Sequence, residues 1–387
     1  MQSSRPATGL LIALVALPAG ADVALPFEFD FASREVYDGT RGYGYEPGAP
    51  TKFSVRLPEG TYRVTLTPQG RRHATSLRVL AEQRRVMVDR KIVDNVDIER
   101  FLVDVRTPAL PGLPANATGG TQVALKSREI GAANWDDKLT LEFAGNATFE
   151  RLRIEAATSP TLFLAGDSTV TDQPVAPNGS WGQALPKFFA GSLAVANHAE
   201  SGETLKSFVT EMRLAKLLST LQAGDWVMIQ FGHNDQKVQW PQTHADAATT
   251  YRAWLRTYIA EVRVRGATPI LVTSPDRRNF DANGKIESTL GDYPEAMRIV
   301  GREEGVAVID LNAMSRRYYE ALGPEAAARV FADEGRDKTH FNEVGALALA
   351  RCVVEGIRAA DPALVRGLAQ HLAADAGRFD PAHPEKP

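Results

Sequence analysis

The hydrophobic period of the chain changes once, near residue 160, and that change limits the folds open to it. Before it, apolar residues alternate with polar ones: Phe53, Val55 and Leu57, then Tyr62, Val64 and Leu66, with Pro58-Glu-Gly60 and Pro68-Gln-Gly70 as turns. Leu77 and Val79, then Phe101, Val103 and Val105, then Leu139, Leu141 and Phe143 continue the period of two. Such alternation with Gly/Pro turns predicts antiparallel strands packed as a β-sandwich. After it, short apolar runs predict strands over 162–165, 193–196, 226–231, 269–273 and 306–310. Helical stretches are expected over 204–222, where Leu205, Phe208, Val209 and Met212 fall at i, i+3, i+4 and i+7, and over 245–265. Strand and helix in alternation predict a parallel sheet covered on both faces. Ala156-Ala-Thr-Ser-Pro160 is a short polar connection between the two grains. The expected organisation is 22–158 as the β-sandwich and 159–387 as the α/β domain.

Residues 1–21 read as a signal peptide. Arg5 supplies the positive region, Gly9 to Leu17 the apolar core, and Ala19-Gly-Ala21 a small-residue cleavage site. That apolar core is too short to span a bilayer, which needs ~20 residues. Export to a periplasm or the medium is therefore expected. A net charge of −3 gives no support to a nucleic-acid or membrane-surface partner. The one cysteine, Cys352, excludes an intrachain disulfide and falls in a helical pattern as a small buried hydrophobe.

The chemistry gathers at strand ends. Thr161-Leu-Phe-Leu-Ala-Gly166 is an apolar run that stops at a glycine, and Asp167 and Ser168 follow at once. In an open α/β sheet, reacting groups collect at the carboxyl ends of strands, so Ser168 stands where a nucleophile would. A serine hydroxyl needs a base to take its proton as it attacks. Asp337 lies three residues before His340, on one turn of a loop, so its carboxylate can accept the imidazole Nδ1 proton. Asn342 is a good N-cap for the helix that follows, with Val344, Leu347, Val354 and Ile357 as its buried face. No P-loop, GxGxxG turn or HExxH is present, and position 170 is Val, so the Gly-x-Ser-x-Gly elbow is absent as well.

Four blocks taken together carry a resemblance: Gly166-Asp-Ser168; Gly202 after Asn197-His-Ala-Glu-Ser; Gly232-His-Asn-Asp235 after an apolar strand; and Asp337-Lys-Thr-His340. In that order they resemble the SGNH (GDSL-type) hydrolases, and more finely the rhamnogalacturonan acetylesterases and their polysaccharide-esterase relatives, over about 161–372. The resemblance implies a flavodoxin-like α/β/α three-layer sandwich. It makes His340 the base beside Ser168, with His198 and His233 as the rivals inside the motif blocks. It gives the backbone N–H of Ser168, the backbone N–H of Gly202 and the Asn234 amide as the oxyanion hole. Phe29-Asp-Phe31, Tyr43-Gly-Tyr45 and Asn134-Trp-Asp-Asp137 resemble a galactose-binding-like sandwich, in which Tyr43, Tyr45 and Trp135 either meet carbohydrate or pack the sandwich or the interface to the next domain.

The implied function is an exported carbohydrate O-acetylesterase acting on a plant cell-wall polysaccharide, pectic if the finer resemblance holds, with no metal or organic cofactor. Many relatives carry a basic residue after the second-block glycine; here Glu203 stands there, which puts the sugar preference in question. Arg277 and Arg278, just after the fourth predicted strand, are candidates to read substrate charge, or else hold their loop by salt bridges. A lipid or thioester substrate would call for an apolar lid, whereas Gln173-Pro-Val-Ala-Pro-Asn-Gly-Ser180 is polar and Pro-rich. A non-catalytic carbohydrate-binding protein is the reading from another class.

Overall fold

A computed structural model describes residues 22–69, 76–92, 97–385 and 387. The expected signal peptide lies outside the described residues. The N-terminal part forms two antiparallel sheets. One orders the strands Phe27–Asp30, Phe149–Ala156, Gly60–Pro68 and Glu99–Val105; the other orders Tyr43–Glu46, Ala49–Arg56, Lys138–Phe143, Ser76–Ala81 and Arg85–Lys91. Alternate residues of both sheets, among them Val55, Val64, Val103, Leu141 and Ile154, meet in one core. Tyr43 and Tyr45 pack against this core, with ring centroids 5.0 Å from Phe27 and 5.3 Å from Phe53 respectively. Trp135 is buried, its Nε1–H donating to Glu129 Oε1 at 3.0 Å and its ring under the Arg106 guanidinium. All three rings therefore serve packing.

The last antiparallel strand ends at Ala156, and the first parallel strand, Thr161–Gly166, begins five residues on. The parallel sheet runs Ala194–Asn197, Thr161–Gly166, Trp226–Gln230, Thr268–Val272, Ala307–Ile309. Every residue of the central strands is buried, as a sheet covered on both faces requires. Side chains alternate between faces: Leu162, Leu164 and Met228 enter one core with the helices Leu311–Ala328 and Glu343–Ala359. Phe163, Ala165, Val227 and Ile229 enter the other with Leu205–Thr210, Arg213–Thr220, Thr250–Val264 and Tyr293–Glu304. The result is a three-layer α/β/α sandwich in the flavodoxin-like strand order. Its topological switch lies between the first and third strands in chain order, where ligands bind in such sheets.

Two expectations are corrected. The helix foreseen over 204–222 is two helices, broken at Met212, whose φ is +63°. At the break the N-terminal part makes contact: Ala124 N–H donates to the Glu211 carbonyl at 3.0 Å, an acceptor that a continuous helix would use. Val344 does not belong to the buried face of its helix but is 52% exposed; Leu347 is half-buried and packs against the core, and Ala346, Leu349 and Val353 join Val354 and Ile357 there. Among the described residues, no helix is long and apolar enough to cross a membrane.

Candidate active site

The first parallel strand delivers Ser168 to the carboxyl edge of the sheet, at the switch point. Gly166 ends it because a Cβ there would lie 2.5 Å from a methyl of Val170, which is itself fully buried. The turn beyond is set by Asp167, whose Oδ1 accepts from the N–H and hydroxyl of Thr169 at 3.0 and 2.9 Å. Asp167 Oδ2 faces His233 Nδ1 at 3.2 Å. Burial opposes the charge on Asp167, but the attraction and hydrogen bonding of His233 outweigh it, and the carboxyl is held below its usual range. Asp167 therefore shapes the turn and does not face the reaction.

Ser168 Oγ lies 2.9 Å from His340 Nε2, and His340 Nδ1 lies 2.8 Å from Asp337 Oδ2. The second Asp337 oxygen accepts the backbone N–H groups of Thr339 and His340, at 2.6 and 2.9 Å. Partial burial pushes the Asp337 carboxyl up, but these backbone and ring hydrogen bonds outweigh it and hold the group below its ordinary value. A charged Asp337 fixes the tautomer in which Nδ1 carries the proton and Nε2 is free to accept one. The helix Glu343–Ala359 anchors the loop, capped by Asn342, whose Oδ1 accepts from Val344 and Gly345 N–H at 3.0 and 3.1 Å.

The two rival histidines are committed elsewhere. His233 directs Nε2 to the Pro275 carbonyl at 3.0 Å and Nδ1 to Asp167, so neither nitrogen is open to Ser168. His198 is buried between the Phe163 and Trp135 rings, and burial, reinforced by Arg106 and Lys216, holds its pKa well below the usual value.

Backbone donors converge on the same edge. Among the described residues, the N–H groups of Ser168 and Gly202 donate to no protein acceptor. Gly202 has φ +86°, a left-handed conformation that favours glycine, and a Cβ built there would lie 3.9 Å from Lys126 Nζ. Asn234 directs Nδ2 to the Glu203 carbonyl at 3.0 Å, and its Oδ1 accepts from Lys237 Nζ at 2.8 Å. The lysine fixes which end of the amide carries the donors, and one N–H remains for a ligand.

Arg277 and Arg278 have protein partners. Arg277 donates to Thr339 Oγ1 at 3.2 Å, Thr289 Oγ1 at 2.9 Å and the His233 carbonyl at 3.4 Å. Arg278 donates its side chain to the Gly335 carbonyl and its backbone N–H to the Lys338 carbonyl at 2.8 Å, and its guanidinium lies over the Phe331 ring. Both therefore brace the 335–339 loop that carries Asp337. A cleft of 670 Å³ opens over His340 and Asp337, lined also by Gln173, Ser201 and, from the N-terminal part, Arg128. Arg128 and its neighbour Lys126 carried no signal in the sequence, since their partners lie more than seventy residues away in an irregular segment. Among the described residues no group of three or more His, Cys, Asp or Glu is arranged to hold a metal ion.

This arrangement recurs in known proteins. A profile of the GDSL-like lipase/acylhydrolase family matches residues 164–348. The chain is 43% identical over 209 residues to rhamnogalacturonan acetylesterase RhgT of Bacillus subtilis, covering 51% of this chain and 88% of that protein. To the uncharacterized esterase YxiM of the same organism it is 26% identical over 375 residues, 86% of this chain and 90% of the relative. The crystal structure of YxiM superposes with a TM-score of 0.50 over 82% of this chain and 83% of that one, also at 26% identity. With that kinship across the catalytic blocks, the chain belongs to the GDSL-like lipase/acylhydrolase family and is a serine esterase.

Proposed function

We propose that the protein is a carbohydrate O-acetylesterase, exported by the cell, that removes acetyl groups from a pectic polysaccharide through an acetyl-enzyme on Ser168. The observation that carries the chemistry is the unbroken line of contacts from Ser168 Oγ through His340 to Asp337, the last two lining an open cleft. His340 Nε2 takes the serine proton as Oγ attacks the acetyl carbonyl. The oxyanion is received by the N–H groups of Ser168 and Gly202 and by the free Asn234 N–H, all neutral donors fixed before substrate arrives. His340 then gives its proton to the departing sugar oxygen, and later takes one from the water that releases acetate. Asp337 holds the imidazolium through both steps without itself becoming protonated.

The sugar assignment is supported by the rhamnogalacturonan acetylesterase similarity. Export is supported by the pattern of residues 1–21. We propose for Arg277 and Arg278 a bracing role rather than a substrate contact, in keeping with their protein partners. The test is acetate release from acetylated rhamnogalacturonan beside acetylated xylan. A pectic enzyme has the higher kcat/KM on the first; a higher value on xylan would overturn the assignment of backbone and leave the esterase chemistry standing.

A further inference from the structure

The cleft over His340 contains one lysine or arginine among its described lining residues, and that residue comes from outside the α/β sandwich. Arg128 lies in the short turn Ser127–Glu129, between the antiparallel strands. Its Nε donates to Glu200 Oε1 at 2.8 Å, and its Nη2 reaches the same carboxylate and, at 2.7 Å, the Ser201 carbonyl. Nη1 makes no hydrogen bond to a described residue, and 52% of the side chain is exposed. The backbone beneath is fixed. Glu129 receives the fully buried Arg213 through two hydrogen bonds of 3.0 and 2.5 Å and accepts from Trp135 at 3.0 Å; its Oε2 also takes the Lys126 N–H at 2.9 Å. Across the cleft, Asp333 and Glu334 are paired with Arg336 and Asp337 with His340, and Arg128, although paired with Glu200, keeps Nη1 as a donor with no partner among the described residues.

We propose that Arg128 binds a carboxylate of the substrate, the uronate next to the acetylated sugar, so that the N-terminal part supplies a specificity-determining residue. The inference rests on the pectic reading above. A guanidinium whose turn is held by a buried ion pair loses little freedom on binding, and its planar donors suit a carboxylate. A neutral xylan offers Nη1 only uncharged hydroxyl oxygens, which make the weaker hydrogen bond. The two N-terminal cations, Arg128 on Glu200 and Ser201 and Lys126 on Ser201 and Glu203, also bracket Gly202, so carboxylate binding and oxyanion stabilisation share one loop.

The test is the ratio of kcat/KM on an acetylated galacturonate-containing oligosaccharide to that on an acetylated xylo-oligosaccharide, for wild type, Arg128→Gln and Arg128→Lys. Arg128→Gln is expected to cut the ratio by about 10-fold or more, chiefly through KM, as loss of a charge-assisted hydrogen bond does. Arg128→Lys should restore part of it, and added salt should erode the wild-type ratio but not that of Arg128→Gln. Equal losses on both substrates would mean that Arg128 only holds the Gly202 loop, and would overturn the inference. Wild-type protein that leaves the uronate substrate untouched would overturn the pectic reading and this inference with it. Wild-type activity with a ratio indifferent to Arg128→Gln would overturn the inference alone.

Discussion

Asn234 and Asp235 sit side by side after the third parallel strand and do different work. In the proposed mechanism Asn234 offers its remaining N–H to the oxyanion, so Asn234→Ala should lose ~10²–10³ in kcat with little change in KM. A rise in KM alone would make it a substrate-binding group instead. Asp235 is buried; its Oδ1 accepts the Leu205 N–H at 2.9 Å, while Oδ2 has no partner. Burial pushes its carboxyl up to about 7. Between the ordinary carboxyl value of about 4 and that of the folded state, the native protein holds a proton that the unfolded chain has lost, so this group makes stability fall as pH rises. Asp235→Asn keeps the acceptor for Leu205 and removes the charge. Its urea midpoint should fall less than that of wild type between pH 5 and pH 8; parallel falls would contradict this. At this scale the sequence was informative about Ser168 and the Asp337–His340 pair because their spacing carries the chemistry. The residues alone left His198 and His233 as rivals, and it was the family resemblance that favoured His340; in the structure the partners of the ring nitrogens distinguish His340 from His233.

The parallel strands were legible because a strand buried on both faces reads as an unbroken apolar run, and those of the structure begin and end within one or two residues of the expected limits. The break at Met212 was not, because the 3.6-residue period runs through it and the hydrogen bond that meets it comes from Ala124, far away in sequence. The loop 335–340 shows the same limit. Its two charged neighbours, Arg277 and Arg278, look from the sequence like rim residues facing substrate, yet their hydrogen bonds brace the element that carries Asp337 and His340. Arg277→Ala should therefore lower kcat by a similar factor on p-nitrophenyl acetate and on acetylated pectin, on the order of 10²-fold if the dyad shifts by about 1 Å. A loss confined to pectin would return Arg277 to the substrate.

Across the whole molecule, the antiparallel and parallel parts are joined by buried charge. Arg85 and Asp172 pair at 2.9 Å, both essentially inaccessible, four residues beyond Ser168. Arg213 meets Glu129, Lys216 meets Glu59 at 2.6 Å, and Lys126 meets the buried Glu203. Removing one member of a buried pair strands the other, at about 3–5 kcal/mol. Arg85→Met should destabilise by that amount in denaturant unfolding; a change under about 1 kcal/mol would show that Asp172 is satisfied without it. The segment 160–387 alone would leave Asp172, Glu203, Arg213 and Lys216 without these partners, and is expected to be unstable or inactive although Ser168, His340 and Asp337 all lie within it. A stable fragment with full activity on small acetate esters would contradict that. The sequence showed two grains of hydrophobic pattern but nothing of this joint, because ion pairs between distant segments leave no periodicity.

In the proposed mechanism acetyl passes through Ser168. Rapid mixing with a small acetate ester, acid quench and peptide mass spectrometry read it directly. An acetyl-enzyme on Ser168 predicts a peptide containing Ser168 heavier by one acetyl group during turnover, absent from Ser168→Ala, whose kcat should be lower by about 10⁴ or more with folding intact. An acetyl group trapped on another residue, or a folded Ser168→Ala protein retaining a tenth of wild-type activity, would contradict it.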